Sequence, residues 1–251
     1  MTTTVAPAGF GNLTPYLLVS DVDAALAFYA TAFGAETTSR DTTPNGVHSS
    51  FMLGDSMLMM GGPVAERKAM LHLYVDDLEG TIQRALDLGA TSTYPITQAS
   101  YGERFGVVED PAGNAWIIAE RATSTLRHPD MRTVTPYLNP KGAAELIEFL
   151  KAGLGAEQVE RHDHPPRGVV HCKMRLGQLF LELGDPEEAA SAFPVMFYLY
   201  VASADATYER ALKAGAVSIH PPAKQHYGEY VAAFTDPAGN QWYVAEHRVD
   251  I

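Results

Sequence analysis

Apolar positions along the chain switch repeatedly between a strand-like and a helix-like spacing. Leu13–Ser20 is a short apolar run and reads as a strand. Asp21 or Asp23 caps a helix that runs to about Phe33 and stops at Gly34. Short strands are expected around Glu36–Arg40, Val47–Leu53 and Met57–Met60, followed by a Gly- and Pro-bearing loop over Gly61–Lys68. The pattern then starts again. Met70–Val75 reads as a strand, and Asp76 and Asp77 lead into a helix, Leu78–Leu88, with Leu78, Ile82 and Leu86 on one face. Gly89 ends that helix. Strands near Thr91–Pro95, Arg104–Glu109 and Ala115–Glu120 complete the unit, so residues 13–120 read as βαβββ twice.

The second half repeats the first. Thr14–Leu17 returns as Thr135–Leu138, Leu73–Val75 as Leu199–Val201, and Arg84–Leu86 as Arg210–Leu212. Asp-Pro-Ala-Gly-Asn occurs at Asp110–Asn114 and at Asp236–Asn240. Each copy precedes one of the two tryptophans of the chain, Trp116 and Trp242, and follows a Tyr-Gly-Glu tripeptide, Tyr101–Glu103 or Tyr227–Glu229. Proline presets φ, glycine takes positive φ, and the aspartate can bond its own turn. Such a turn fixes where the last strand begins. The expected organisation is a loose N-terminus over 1–12, a first domain over 13–121, a linker over 122–132 and a second domain over 133–248.

Composition narrows the function classes. The 251 residues are 46% hydrophobic and 19% charged, as in a globular protein, and leave room for two cores. A net charge of −12 argues against nucleic acid and anionic membrane as partners but leaves a small cation open. One cysteine, Cys172, permits no intrachain disulfide, and a cytoplasmic location is expected. Met1–Phe10 has neither the basic nor the apolar region of a signal peptide, and Met196–Ala202, the longest apolar stretch, is too short to span a bilayer. Dinucleotide, Walker, Cys-x-x-Cys and nucleophile-elbow motifs are absent.

Four βαβββ units paired into two domains resemble the vicinal oxygen chelate superfamily, which includes glyoxalase I, the bleomycin and fosfomycin resistance proteins and the extradiol dioxygenases. Tyr16–Asp21 with the helix to Gly34, Leu71–Asp77, and Tyr101–Arg104 leading to Asp110–Asn114 and Trp116 carry the likeness, together with their second-half partners. The resemblance implies an α+β fold of two tandem domains, each of two βαβββ modules forming a curled, cup-shaped mixed sheet with helices outside. It also implies a monomer that mimics a dimer, or a homodimer.

Catalytic members of that superfamily hold a divalent metal in the cup through His, Glu, His or Gln, and Glu. Carried onto this chain, those positions fall at Thr14, Met59, Met70 and Ile117 in the first half, and at Thr135, Glu182, Met196 and Tyr243 in the second. Only Glu182 keeps the residue type, so the usual metal centre is expected to be absent. No cofactor is expected, with a divalent metal entering only if Glu182 belongs to a divergent site. His72 lies two residues from Met70 on the same strand face and reads as a pocket-lining histidine.

By the same strand parity the second cup is aromatic: Phe180, Tyr198, Tyr200 and Tyr243, with Glu182 and Gln241 as polar handles. The first is rich in methionine, Met52, Met57, Met59 and Met70, with Tyr16, His72 and Tyr74. Tyr101 and Tyr227 lie in loops that flank the cup in relatives, and Arg104 follows in the first half where Tyr230 stands in the second. His48 and His171 occupy matching strand positions, and Asp163 to Pro166 reads as a hairpin loop. The expected function is binding of an apolar or aromatic small molecule, through Glu182, Tyr198, Tyr200, Tyr227, Tyr243, Phe180, Tyr16, His72, Tyr101 and Arg104. The alternative is an enzyme of the lyase, isomerase or dioxygenase type with a divergent or metal-independent site.

Overall fold

A computed structural model describes residues 6–7, 9–44, 46–63, 68–100, 102–122, 130–188 and 191–247. Tyr101 lies outside the described residues. The chain forms two compact units, one over Tyr16–Tyr137 and one combining Leu138 onward with the residues up to Pro15. The strands form curled, open, mixed sheets that do not close into barrels.

In the unit of residues 16–137 the elements are β1 (Leu13–Leu18), α1 (Val22–Phe33), β2 (Glu36–Thr43), β3 (Gly46–Leu53), β4 (Ser56–Gly62), β5 (Met70–Val75), α2 (Leu78–Asp87), β6 (Thr91–Gln98), β7 (Arg104–Glu109) and β8 (Ala115–Glu120). One sheet runs β1-β4-β3-β2, and a separate one runs β5-β8-β7-β6 with β9 (Val134–Leu138) on the free edge of β5. Caps predicted from sequence form as expected. Asp21 accepts from Ala24 N at 3.0 Å, Asp77 accepts from Gly80 N at 3.0 Å, and Gly34 closes α1 at φ +77°. One core joins the inward faces of both sheets to α1 and α2, including Leu17, Phe51, Leu58, Leu73, Ile82 and Trp116.

The other unit holds α3 (Ala143–Phe149), a π turn over Leu150–Leu154, β10 (Glu157–His164), β11 (Gly168–Leu176), β12 (Leu179–Leu183), β13 (Met196–Tyr200), α4 (Ala204–Lys213), β14 (Val217–Lys224), β15 (Tyr230–Thr235) and β16 (Gln241–Glu246). Strands β10-β11-β12 lie in one sheet and β14-β15-β16-β13 in another. Its core includes Leu146, Phe149, Leu181, Phe197, Phe234 and Trp242. Gly142 begins α3 and offers no side-chain cap. Asp185 fills that role from just past β12, accepting from Gly142 N at 3.1 Å and Ala143 N at 2.8 Å.

Two expectations change. The N-terminal segment is tied down at its end: Asn12 donates to Leu176 O at 2.7 Å, and its carbonyl accepts from Tyr200 N at 2.7 Å. Asp163 and His164 lie on β10 rather than in the hairpin loop, which is shorter than expected because pairing with β11 continues as far as His164 and Gly168.

The repeated turn shows why it is repeated. Asp110 Oδ1 accepts from Ala112 N and Asn114 N, both at 2.9 Å, and Oδ2 accepts from Trp116 Nε1 at 2.8 Å. Asp236 makes the same three bonds, with Ala238 N, Asn240 N and Trp242 Nε1, all at 2.9 Å. Asn114 Oδ1 and Asn240 Oδ1 accept from Ala69 N and Val195 N, fixing the approach to β5 and β13. One buried carboxylate thereby satisfies a turn and clamps the tryptophan of the strand that follows it.

Candidate functional site

Within each unit a single core takes the helix-side faces of both modules. The opposite, open faces belong to different sheets, and this rearranges the expected groupings. Tyr16 stands beside Met59 in register, with His48 next to its ring at a centroid distance of 5.7 Å. Gly61 makes room for that phenol: a Cβ there would lie 2.5 Å from Tyr16 Oη. Burial holds the His48 imidazole below its usual range, with Asp41 opposing. His72, Tyr74 and Ile117 lie on the separate β5–β8 sheet. Phe180 and Glu182 are likewise on β12, while Tyr198, Tyr200 and Tyr243 are on β13 and β16 of another sheet.

Register assigns the cross-strand rows. His72 pairs with Ile117 on one side and Thr135 on the other, whereas Met70 pairs with Ala115. The histidine therefore occupies the row in which the sequence reading placed Met70. Tyr74 stacks on it, with ring centroids 4.4 Å apart. Glu103, buried, brings Oε2 to 3.8 Å from His72 Nε2. In the other unit the matching row pairs Tyr198 with Tyr243.

Glu229 is the residue that sequence reasoning passed over. Tyr198 Oη donates to its Oε2, and Tyr200 Oη donates to its Oε1 at 3.0 Å. Burial, reinforced by this carboxylate, pushes both phenols far above the usual tyrosine range. Tyr227 is half exposed and lies within hydrogen-bond reach of Tyr198. The signal was present in the sequence: the duplicated tripeptide ends in Glu103 and Glu229, and these glutamates face β5 and β13.

The β10–β12 face carries a second polar group. Lys173, buried, sits in register between Glu160 and Glu182. Lys173 Nζ is 3.2 Å from Glu160 Oε2, His162 Nε2 is 2.6 Å from Glu160 Oε1, and His171 Nε2 is 3.3 Å from Glu182 Oε1. Burial raises the Glu160 carboxyl, and the bonds from His162 and Lys173 more than offset this, leaving it below its usual range. Among the described residues no group of three or more His, Cys, Asp or Glu side chains could hold a metal ion.

Arg104 is a correction. It pairs with Glu79 on α2 and with Glu120 at 3.1 Å. It shares the helix-side face of β7 with Gly106, which meets Ile82, and with the core residue Val108, so strand parity turns it away from the open face.

Comparisons with known proteins agree with this architecture. Residues 16–119 match the family of the glyoxalase-like domain, and residues 133–244 match the glyoxalase/bleomycin resistance protein/dioxygenase superfamily. Uncharacterized proteins of Mycobacterium bovis and Mycobacterium tuberculosis are each 32% identical over 124 residues, 43% of this chain, covering 82% and 73% of their own lengths. The structure of glyoxalase I from Zea mays matches with a TM-score of 0.70 at 14% identity, over 93% of this chain and 92% of that one, a likeness of fold. Among the described residues no helix is long and apolar enough to cross a membrane. With family matches spanning the βαβββ repeats of both halves, the chain belongs to the glyoxalase/bleomycin resistance protein/dioxygenase superfamily as two tandem vicinal oxygen chelate domains.

Proposed function

We propose that the protein binds a small apolar or aromatic molecule on the open faces of its sheets, without the metal centre common among catalytic relatives. The observation that carries this reading is the donor chemistry of the cross-strand rows. One row offers a single imidazole between Ile117 and Thr135, and the other offers the phenols Tyr198 and Tyr243. A hard divalent ion needs several nitrogen and carboxylate donors converging with open positions, and these rows do not fit it. Broad aromatic surface with a few polar anchors is instead the usual make-up of small-molecule sites.

One observation favours a second reading, a metal-independent enzyme. His171 and Glu182 are close enough to orient an imidazole for proton transfer, beside the buried Lys173. Elemental analysis of protein purified without chelator, with mass spectrometry of copurifying molecules, tests the proposal. The expected result is substoichiometric metal and a retained organic compound. A stoichiometric divalent metal, lost from Glu182→Ala together with binding or turnover, would overturn it.

A further inference from the structure

The two Tyr-Gly-Glu glutamates are sequence equivalents in different electrostatic settings. Glu103 faces an imidazole, His72 Nε2, at 3.8 Å. Glu229 faces only phenols, Tyr198 and Tyr200, and among the described residues it makes no ion pair. This half-buried carboxylate is thus held by two neutral donors, with no protein cation beside it among the described residues. Aromatic rings surround it. Tyr198 and Tyr200 meet edge to face at 5.3 Å, Phe10 packs edge-on to Tyr200 at 5.8 Å, and the half-exposed Tyr227 lies beside Tyr198. Ring faces attract cations, and phenols donating to a carboxylate are electron-rich.

A second observation comes from β1. Leu13 points into the core, so Thr14 takes the open face. Tyr200 N bonds Asn12 O as Tyr74 N bonds Thr133 O, and the same register that sets Thr135 beside His72 sets Thr14 beside Tyr198. Thr14 Oγ1 is fully buried, with no hydrogen-bond partner among the described residues. A buried hydroxyl is ordinarily satisfied, so this one marks a polar contact that a bound molecule would complete.

We infer that the β13–β16 face selects an organic cation, an ammonium or quaternary ammonium compound, with Glu229 as counter-ion, Tyr198 and Tyr200 as walls and Thr14 as a hydrogen-bonding anchor. This rests on the binding reading above and names the class of ligand for one face of it. The β5–β8 face, where His72 occupies the place of Tyr198, lacks the preference.

Isothermal titration of the full-length protein with choline and with its neutral carbon isostere, 3,3-dimethylbutan-1-ol, tests the inference. Benzyltrimethylammonium against benzyl alcohol serves as the aromatic pair. The cations are expected to bind at least tenfold more tightly than their neutral partners. Glu229→Gln removes that preference, and Glu229→Asp restores part of it. Far-UV ellipticity and the urea midpoint verify that the variants fold. Equal affinity for the cation and neutral members of each pair would overturn the cation inference while leaving small-molecule binding in place. Loss of binding to every probe in the wild-type protein would overturn both, and a cation preference that survives Glu229→Gln would refute the assigned site.

Discussion

Replacing each tryptophan by phenylalanine tests the repeated turn, because Asp110 accepts one more bond than Asp236, from Tyr29. Both indoles are fully buried and donate to a buried aspartate, so each substitution removes similar ring area and one hydrogen bond to a carboxylate. Such a bond contributes roughly 1.5–3 kcal/mol. In the unit of residues 16–137 the loss is cushioned: Tyr29 Oη donates to the same Asp110 Oδ2 at 2.8 Å and stays in place. The amide donor is common to both copies, Asn114 Nδ2 reaching Asp110 Oδ2 at 3.3 Å and Asn240 Nδ2 reaching Asp236 Oδ2 at 2.9 Å. Position 150, which corresponds to Tyr29, is Leu150 and offers no donor. Trp242→Phe should therefore cost more than Trp116→Phe by about 1 kcal/mol, the order of a single net hydrogen bond.

The pH dependence gives a second handle. Burial raises the Asp236 pKa above 3.8, and the bonds from Trp242, Asn240 and Ala238 only partly counter this. A carboxyl whose folded pKa is raised favours the folded state most below its unfolded value, and that benefit is lost as pH rises through the folded value. Removing the indole donor raises the folded value further. The excess cost of Trp242→Phe is thus largest at neutral pH and shrinks as pH falls toward 4. Urea unfolding followed by far-UV ellipticity measures both substitutions, and the one indole left in each variant identifies the step belonging to the unmutated unit. Equal costs, or an excess that grows on acidification, would refute the reasoning.

Two further outcomes follow from local geometry. Asp185→Ala removes the acceptor for Gly142 N, Ala143 N and Val169 N, and should lower stability by about 2 kcal/mol, read from the urea midpoint; a change under a few tenths would mean that water replaces the carboxylate. The Cys172 thiol is fully buried and pushed up to about 11 by burial, so at pH 8 it should resist iodoacetamide in the native protein and react on unfolding. Native labelling at the unfolded rate would contradict this burial.

What the sequence determined by itself was short-range. Asp21, Asp77 and the Asp110 and Asp236 turns act on backbone within four residues, so their roles follow from spacing. Strand limits next to those turns, such as Ala115–Glu120, were legible for the same reason. The duplication was legible because each copy of the fold needs the same turn, glycine and tryptophan. What only the tertiary structure decided was which strands share a sheet and which face each strand shows. Strand parity alone grouped Phe180 and Glu182 with Tyr198 and Tyr243, but burying both modules' helices in one core sends their open faces to separate sheets. Arg104 alternates onto the helix side, where Glu79 and Glu120 hold it. Asp185 caps a helix that begins more than 40 residues earlier, and Glu229 meets two tyrosines about 30 residues away. Such contacts are set by the pairing of distant strands, which no local spacing encodes.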